Sequence, residues 1–596
     1  MDPMITGTMQ HVSLDNDPQY IALSYVWGDP QITKPIVVDD QTVDITTNLW
    51  AALSAFVPEG ESDFVWIDAI CINQLDDLEK SSQVGIMYEI YQQATFVVAW
   101  IGPNNADFLP LQFLAKIGHH AVETRGFNES TGDPSFAHEM LKFFSHFGLQ
   151  FAWELFNCKP FFDSAYWTRM WILQEMCFAK GVLVVCGNET IPVTILRAAI
   201  ISLVVSGMEL SSPNARSIIS FSTLASMKLS EKFPLSELLI IYIGGEYGLQ
   251  ATDPRDKVFA LLNMAKDATR LGLKADYSQN CKSVYTNTVR ALIEDGDFDT
   301  LFMCEMDEKL SKPSSPDLAL PTWVPNFAAL PTTTHFGHKT YYSACGSSKH
   351  SANFLSQDGR ECLLLDGFQI DTLLDRSLSL DEVYIKHGGD RVREEIRRTQ
   401  SMPHKTLYLS DGLMEKASIG GQMYWEFENM FKSHGMSERE LSSSGAHWKV
   451  PIVDHQLQEN GPAGYGDDPS TVVWKRACQE TYDSYRALRG WSQAPANCDD
   501  KTKWFEEQSL IYVRSMSKLD YLYRGFLTYA HHYVGLGPNA IKAGDIVVIF
   551  LGVKVPYILR KARHHSYQIV GPCYVHGVME GELMDTKPHI ETFSIS

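Results

Sequence analysis

A single carboxylate stands inside the apolar stretch RMWILQEMCF at residues 169–178. Glu175 follows Trp171 by four residues, which places both side chains on one face of a helix. A glutamate beside an aromatic ring can bind a pair of ribose hydroxyls and stabilise the positive charge that develops on an anomeric carbon during glycosidic cleavage. The alternative is that Glu175 is a charge at the helix rim, paired with Arg169 or Lys180. Composition alone favours this structural alternative.

A second carboxylate, Asp68, ends the short apolar run FVWID at residues 64–68. Ligands of parallel α/β sheets bind at the carboxyl ends of the strands, so the position of Asp68 makes it a candidate ligand-binding residue. The alternative is a helix or turn cap, in which aspartate accepts backbone N–H groups, and the residues alone favour the cap. The same loop continues with Cys71, Asn73 and Gln74. Cys71 is a weaker candidate, because no histidine lies in this motif to activate it as a nucleophile.

Other familiar catalytic and ligand-binding patterns are missing from the sequence. It has no glycine-rich dinucleotide fingerprint, P-loop, H-E-x-x-H motif or G-x-S-x-G nucleophile elbow. The eleven cysteines are an odd number without a CxxC pair, which predicts neither a disulfide framework nor a metal site. The formal charge of −22 predicts no general binding of nucleic acid or of anionic membranes, because phosphate-rich partners would be repelled.

Neither a signal peptide nor a membrane span is predicted. The first residues lack the basic and apolar regions of a signal peptide. The most apolar later stretch, residues 191–207, is interrupted by Arg197 and is short for a bilayer, so it predicts a buried helix. Together with the unpaired cysteines, these features predict a cytoplasmic protein without a membrane span.

Short apolar runs in the first third of the chain predict the fold class. They do not alternate between apolar and polar residues, which is typical of strands covered on both faces of a parallel sheet. The runs are residues 20–27, 64–68, 95–102 and 181–187. Helical spacing between them, including an apolar stripe from 79 to 94, predicts an α/β domain.

Two smaller elements are predicted between the first two of these runs. The segment PIVVDDQTVDIT has the pattern of a hairpin that turns at Asp39 and Asp40. The segment NLWAALSAF, residues 48–56, predicts a helix with Thr47 or Asn48 as its cap.

Composition shifts along the chain predict four regions. The α/β domain is assigned to residues 15–190, with an insertion at about 104–165. Residues 191–328 predict a mainly helical region, and residues 329–520 an irregular or mixed region with long loops. Residues 521–590 contain β-rich runs punctuated by glycine and predict a small β-rich module.

Blocks of residues in this order and spacing resemble the fungal heterokaryon-incompatibility (HET) domain, and WIDAICINQ is a specific signature of it. The blocks are YIALSYVWGD (20–29), the segment from VWIDAICINQ to VVAWIG (65–102) and YWTRMWILQEMCFAKGVLVVCG (166–187). Further segments resemble those that commonly follow this domain, and they are TDPRDKVFALL (252–262), DYS (276–278), LPTWVPNF (320–327), GLGPNAIKAGDIVVIFLG (535–552) and GPCYVHGVMEGE (571–582).

The resemblance implies a role in non-self recognition and programmed cell death. It also implies a distant relation to TIR domains, which have a flavodoxin-like, mostly parallel sheet and in several lineages cleave NAD at the nicotinamide–ribose bond. The catalytic glutamate of TIR domains lies in a W-x-x-x-E arrangement, which Trp171 and Glu175 reproduce. Glu175 is thereby the candidate catalytic residue, and the candidate substrate-binding residues are Ser24, Tyr25, Trp27, Gly28, Asp68, Cys71, Asn73, Gln74 and Trp171.

The resemblance leaves three functions open. In the first, the domain hydrolyses NAD(P) as its substrate, without a cofactor, after self-association. In the second, it is a non-catalytic module that signals cell death by self-assembly. In the third, the domain belongs to a regulator whose C-terminal half binds a partner. The expected partner is an unknown non-self protein, and no nucleic-acid partner is expected.

Overall fold

The computed structural model describes most of the N-terminal half of the chain and separate parts of the remainder. The described residues are 4–56, 64–103, 109–124, 134–206, 208, 233–243, 249–306, 319–329, 342–349, 351–357, 360–377, 430, 432–435, 445–452, 455–457, 474–489, 523–563 and 565–596. Those up to Asn280 form one compact unit, and those from Cys281 onward form a second.

A five-stranded sheet is the centre of the first unit. Its strands are β2 (Ile21–Tyr25), β5 (Val65–Trp66), β6 (Phe96–Gly102), β7 (Val182–Cys186) and β8 (Glu189–Pro192). The order across the sheet is β5-β2-β6-β7-β8. All neighbours are parallel except β7 and β8, which form an antiparallel pair at one edge. The prediction of a mostly parallel α/β sheet built from these apolar runs is confirmed.

The order of the parallel strands creates a topological switch point. When the four parallel strands are numbered along the chain, their order across the sheet is second, first, third, fourth. The connections that leave β2 and that enter β6 therefore lie on opposite sides of the sheet, and a crevice opens between the carboxyl ends of these two strands. Ser24 and Tyr25 end β2 at this crevice.

Helices fill the connections of the first unit. In chain order they are α1 (Thr47–Phe56), α2 (Asp68–Cys71), α3 (Asp77–Gln93), α4 (Pro110–Glu123), α5 (Pro134–Ser145), α6 (Leu149–Asn157), α7 (Lys159–Phe162), α8 (Ile172–Cys177), α9 (Val193–Val205), α10 (Leu235–Tyr242) and α11 (Asp256–Leu262). The described parts of the segment between β6 and β7 are thus mainly helical.

The predicted hairpin and its neighbouring helix are present, with one correction. Strand β1 (Thr6–Gly7) joins β3 (Thr33–Val38), which pairs with β4 (Gln41–Thr46). Asp39 and Asp40 form the turn with φ of 48° and 60°, the left-handed conformation that a two-residue hairpin requires. Neither Thr47 nor Asn48 caps α1. The hydroxyl of Thr46 accepts the Leu49 N–H instead, because Thr46 is the residue at which the strand ends and the helix begins.

The apolar stretch after β8 is a buried helix, as predicted, and packs on the insertion. Helix α9 lies against α4, where a Cβ atom at Gly118 would collide with the backbone carbonyl of Ile195. Glycine therefore permits this close helix approach. No helix within the described ranges is long and apolar enough to cross a bilayer.

Helix α12 (Cys281–Glu294) opens the second unit, which is built around a nine-stranded sheet. Its strands are β9 (Ala352–Gln357), β10 (Arg360–Arg376), β13 (Tyr523–Thr528), β14 (Val534–Pro538), β15 (Ile546–Phe550), β16 (Tyr557–Lys561), β17 (Tyr567–Pro572), β18 (Tyr574–Val575) and β19 (Glu591–Ile595). The long strand β10 pairs with both β15 and β19, and these pairings close a ring through β16 and β17.

The β-rich character of the C-terminal region is confirmed, and the sheet begins earlier in the chain than the pattern indicates. Strands β9 and β10 come from residues assigned to the irregular region, because they complete a sheet whose other strands lie more than 140 residues later. The remaining described elements of this unit are β11 (His455–Leu457), β12 (Trp474–Arg476), α13 (Ala446–Lys449) and α14 (Gln479–Arg489).

Candidate active site

The side chains of Ser24 and Tyr25 point to opposite faces of the sheet, as successive strand residues do. Tyr25 is 1% exposed and packs in the apolar cluster that also contains Trp100 of the neighbouring strand β6. Ser24 points to the other face, where its hydroxyl reaches Glu175 of α8. The carboxyl end of β2 therefore brings the first and third sequence blocks into direct contact.

Glu175 is buried, with 1% of its surface exposed, and forms a bidentate ion pair with Arg169. Arg169 Nη1 donates to Oε2 and Nη2 donates to Oε1, each at 2.7 Å. Burial opposes the charge of Arg169, and the attraction of Glu175 more than offsets this opposition, so the pKa of the guanidinium lies above its usual value. The arginine side chain is 17% exposed, so it forms the solvent side of the pair.

A chain of hydroxyl groups continues from Glu175 into the core. Ser24 donates its hydroxyl proton to Glu175 Oε2. The Ser24 and Tyr166 hydroxyl oxygens lie 2.6 Å apart, and because Ser24 has one proton, Tyr166 donates to Ser24. Tyr166 is fully buried, and burial raises the pKa of its phenol, which keeps the proton on Tyr166. Glu175 thus accepts one hydrogen bond from the neutral Ser24 hydroxyl and two from the Arg169 guanidinium.

Such a network compensates the cost of removing a carboxylate from water. An isolated buried charge is strongly unfavourable, but a bidentate arginine and a hydroxyl donor satisfy the carboxylate oxygens. The ion-pair alternative from the sequence is therefore correct about Arg169 as the partner. The pair does not lie on an outer rim, however, because Glu175 is covered by β2 and by the residues that precede α8.

Asp68 and Trp27 form the accessible side of this region. The Trp27 indole N–H donates to Asp68 Oδ2 at 2.8 Å, and 42% of the tryptophan surface is exposed. Desolvation raises the pKa of Asp68 to about 6, assisted by the negative charge of Glu175 and opposed by Trp27 and Arg169. A carboxyl group with this pKa exchanges protons near neutral pH, which is the property of a general acid or base.

Asp68 does not cap α2, because the residue at the cap position is Ile67 and no side chain caps this helix end. Its Oδ1 accepts the Ala69 N–H at 2.7 Å at the start of α2. Its other oxygen accepts the indole N–H of Trp27, in the loop that follows β2. Asp68 also raises the pKa of Tyr25 through its charge and a side-chain hydrogen bond, although burial of the phenol is the larger cause. Asp68 is therefore both the first residue of a short helix and a member of the charged group that includes Glu175.

The three residues that follow in the loop shape its backbone. Gln74 donates from Nε2 to the Asp68 carbonyl at 3.1 Å, and Asn73 accepts the Leu75 N–H at 3.2 Å. Cys71 accepts the Ile67 N–H through Sγ at 3.5 Å, and burial raises the pKa of its thiol. A raised pKa keeps the thiol protonated and disfavours nucleophilic chemistry.

Gly28 is placed at the turn that follows β2. Its φ of +83° lies in the left-handed region, where glycine is favoured. A Cβ atom there would approach the Asn48 Cβ to 3.2 Å. Asn48 in turn donates from Nδ2 to the Val26 carbonyl, so the first residues of α1 hold the loop that carries Trp27.

Trp171 is directed toward a different part of the unit. Its indole N–H donates to Asp256 Oδ2 at 2.9 Å, and the Tyr277 hydroxyl donates to the other oxygen of the same carboxylate at 2.5 Å. Of the candidate residues, Ser24 contacts Glu175, and Trp27 contacts Asp68, whose carboxyl group interacts electrostatically with Glu175. Trp171 has a different hydrogen-bond partner.

The sequence patterns gave no role to Tyr166 or Asp256, although these residues lie in the segments 166–187 and 252–262 that resemble the HET family. Tyr166 could have been recognised as a possible neighbour of Arg169, because it precedes Arg169 by three residues. A carboxylate that follows an Asp-Pro helix start was a signal for Asp256. Across the described parts of the chain, no cluster of three or more His, Cys, Asp or Glu residues is arranged to hold a metal ion.

Raised carboxyl pKa values make the stability of this unit depend on pH. The folded chain binds the Asp68 proton more tightly than the unfolded chain does, since the pKa rises from 3.8 to about 6 on folding. Stability contributed by this group is therefore present below about pH 4 and is lost as the pH rises to about 6. As the pH rises from 4 to 7, we expect wild type to lose roughly 2–3 kcal/mol of its free energy of unfolding, and Asp68→Asn to keep it.

Denaturant unfolding of both proteins across this pH range would measure the effect of Asp68→Asn. Asparagine retains an oxygen that can accept the Trp27 indole N–H. The variant Asp77→Asn, at the exposed start of α3, serves as a control and should follow the wild-type pH dependence. A pH-independent difference between Asp68→Asn and wild type would contradict the prediction.

The residues that form this sheet and these contacts also match a known family by sequence. Residues 20–175 match the family model described as Heterokaryon incompatibility protein (HET), which spans β2 through Glu175. Residues 429–595 match the family model of the Het-6 beta-barrel domain. Residues 20–175 therefore carry a HET domain, and the resemblance of the sequence blocks to that domain is confirmed.

The chain also resembles a named protein over most of its length. The chain is similar to heterokaryon incompatibility protein 6, OR allele, of Neurospora crassa, with 26% identity over 659 aligned positions. The alignment covers 96% of this chain and 90% of the relative. No solved structure matches the chain.

Proposed function

We propose that this protein acts in heterokaryon incompatibility and that its HET domain cleaves NAD or a related nucleotide at the nicotinamide–ribose bond. Glu175 is the proposed catalytic carboxylate. One observation carries the proposal, namely a buried, hydrogen-bonded carboxylate beside the carboxyl end of β2, with a second carboxylate of raised pKa beside it. Paired carboxyl groups in different environments are a common arrangement for glycosidic chemistry.

Two further features support this function. The parallel strands follow the order second, first, third, fourth, which is the order at the switch point of flavodoxin-like sheets and supports the TIR-like relation. The relative from Neurospora crassa is named as a heterokaryon incompatibility protein and aligns with this chain over 90% of its own length, which supports the biological role.

The proposed chemistry requires an activation step. Both oxygens of Glu175 are occupied, and the carboxylate is 1% exposed, so a ribose can reach it only after Arg169 moves. The described arrangement is accordingly the resting form of the enzyme. Asp68 and Trp27 remain partly accessible beside the pair and can contact a substrate first. Self-association is the proposed trigger that separates Arg169 from Glu175.

The same burial favours a second candidate function. If Arg169 and Glu175 never separate, they form a structural ion pair, and the domain signals cell death as a non-catalytic module that self-assembles. The observation in its favour is the complete pairing of the two charges in the interior of the unit. Under this function, Glu175 supports the fold and contacts no substrate.

A paired assay of NAD content and viability separates the two functions. The full chain would be expressed in fungal cells, and in vitro as a forced oligomer, as wild type, Glu175→Gln and Glu123→Gln. Glutamine keeps the shape of the side chain, and Glu123 is an exposed control at the end of α4. We expect wild type and the control to deplete NAD, and Glu175→Gln to do so about 100-fold more slowly.

Two results would reject the catalytic function. One is equal NAD consumption by wild type and Glu175→Gln when both are folded. The other is cell death without NAD loss in either protein, which instead supports the self-assembling module. Hydrogen exchange of the β2 and α8 peptides reports whether Glu175→Gln is folded.

A further inference from the structure

The residues around α8 are attached to a segment that lies beyond the HET family match. We call residues 249–277 the clamp segment. Its backbone pairs with the residues before α8, because Gln250 N–H donates to the Thr168 carbonyl at 2.5 Å and Met170 N–H donates to the Gln250 carbonyl at 2.8 Å. These two bonds lie on either side of Arg169, which forms an isolated parallel bridge with Gln250.

Side chains of α8 extend the same attachment. Trp171 donates to Asp256, and Gln174 donates from Nε2 to the Ala260 carbonyl at 2.8 Å. Asp256 and Ala260 are four residues apart on α11, so one face of that helix contacts Trp171 just before α8 and Gln174 in its first turn. Glu175 follows Gln174 directly, and its position relative to Ser24 is therefore coupled to α11.

Asp256 is the central side chain of this attachment. It is 8% exposed, and its two oxygens accept from Trp171 and from Tyr277. Desolvation raises its pKa to about 6, while the two donors favour the charged form. A buried carboxylate of this kind is costly unless its hydrogen bonds are satisfied, so each donor is needed.

Tyr277 is itself held firmly, which makes it a fixed anchor for Asp256. Its backbone N–H donates to the Ser81 hydroxyl at 2.9 Å. Its carbonyl accepts from Arg255 Nη1 at 2.6 Å, and the Lys80 ammonium lies 4.1 Å from its ring centroid. The anchor thus connects the clamp segment to α3 of the α/β domain.

We propose that Asp256 is a positioning residue of the active site. It holds the Trp171 indole and thereby sets the first turn of α8, so that Glu175 meets Arg169 and Ser24 at the carboxyl end of β2. The site is then incomplete without the clamp segment, and Trp171 acts through Asp256 rather than by lining the substrate pocket. The effect on activity rests on the proposed NAD cleavage, whereas the effect on α8 does not.

The test compares Asp256→Asn with Asp256→Leu in the full chain. Asparagine can accept the indole N–H through its oxygen and can pair with Tyr277 through its amide, whereas leucine leaves both donors unpaired. Trp171→Phe removes the donor and keeps an aromatic ring. Asp77→Asn is the control, because Asp77 is exposed at the start of α3 and lies outside the clamp segment. The readouts are NAD cleavage and hydrogen exchange of two peptides, residues 166–178 and the hairpin 33–46.

We expect Asp256→Leu and Trp171→Phe to accelerate exchange in 166–178, to leave the hairpin unchanged and to lower NAD cleavage about tenfold or more. Asp256→Asn and the control should remain within about twofold of wild type. The proposal is overturned if Asp256→Leu leaves 166–178 protected, if asparagine behaves like leucine, or if protection is lost equally in the hairpin. If even wild type fails to cleave NAD, the proposed function fails, and the exchange pattern alone still decides the positioning role.

Discussion

Replacement of Arg169 by methionine is expected to destabilise the first unit by about 3–5 kcal/mol, because it leaves a buried carboxylate without its cation. Glu175 would retain the Ser24 hydroxyl as a donor but would lose both bonds at 2.7 Å. Hydrogen exchange of the β2 and α8 peptides, compared with wild type under native conditions, would measure the loss.

A double variant separates the ion pair from general damage. Arg169→Met combined with Glu175→Met removes both charges and should recover much of the lost stability, since buried ion pairs replaced by apolar residues are often neutral. Lys142→Met is a suitable control, because its ion pair with Glu139 is exposed and should contribute little. If Arg169→Met changes protection no more than Lys142→Met does, the pair is not important for the fold.

Replacement of Trp167 by alanine is expected to cost about 3–5 kcal/mol, which is typical for a buried tryptophan. Trp167 is fully buried, and its indole N–H donates to the Phe161 carbonyl at 2.9 Å. Its ring contacts Tyr166 edge to face at 5.0 Å between centroids. The cavity would therefore displace Tyr166, which donates to Ser24, and we expect the loss of stability to extend to the candidate active site.

Thermal unfolding and exchange of the peptides around residue 24 would detect this change. Trp153→Ala is the matched control, because 59% of the Trp153 surface is exposed on α6. Its effect should stay within about 0.5 kcal/mol. Equal effects of the two substitutions would show that Trp167 is not an important core residue. A large effect of Trp167→Ala without change around residue 24 would show that the core and the site are independent.

Local patterns in the chain were enough to predict the α/β architecture of the first unit. Strands buried on both faces have continuous apolar runs, and residues 20–27 and 95–102 needed no other information to be recognised. The turn at Asp39 and Asp40 was equally local, since two adjacent residues that tolerate positive φ define a hairpin. The family resemblance was carried by short contiguous blocks, which a sequence displays directly.

Contacts between distant segments were not predictable in this way. The strand β10 was assigned to an irregular region, because its partners β15 and β19 lie far along the chain. The partner of Trp171 was missed for the same reason, since Asp256 stands 85 residues later. The four-residue spacing of Trp171 and Glu175 predicted a shared helix face, but Trp171 immediately precedes the first turn of α8 and its indole bonds α11.

Residue types and their spacing thus determined the four parallel strands of the five-stranded sheet, the separate hairpin and the choice of Glu175 and Asp68 as candidates, because these depend on neighbours along the chain. Tertiary structure alone decided that Glu175 is buried against Arg169 and Ser24, and that Asp68 is half-buried against Trp27. Burial and charge pairing depend on which elements meet in space. The free energy of ionisation of a carboxyl group is set by that environment, and it cannot be read from spacing along the chain.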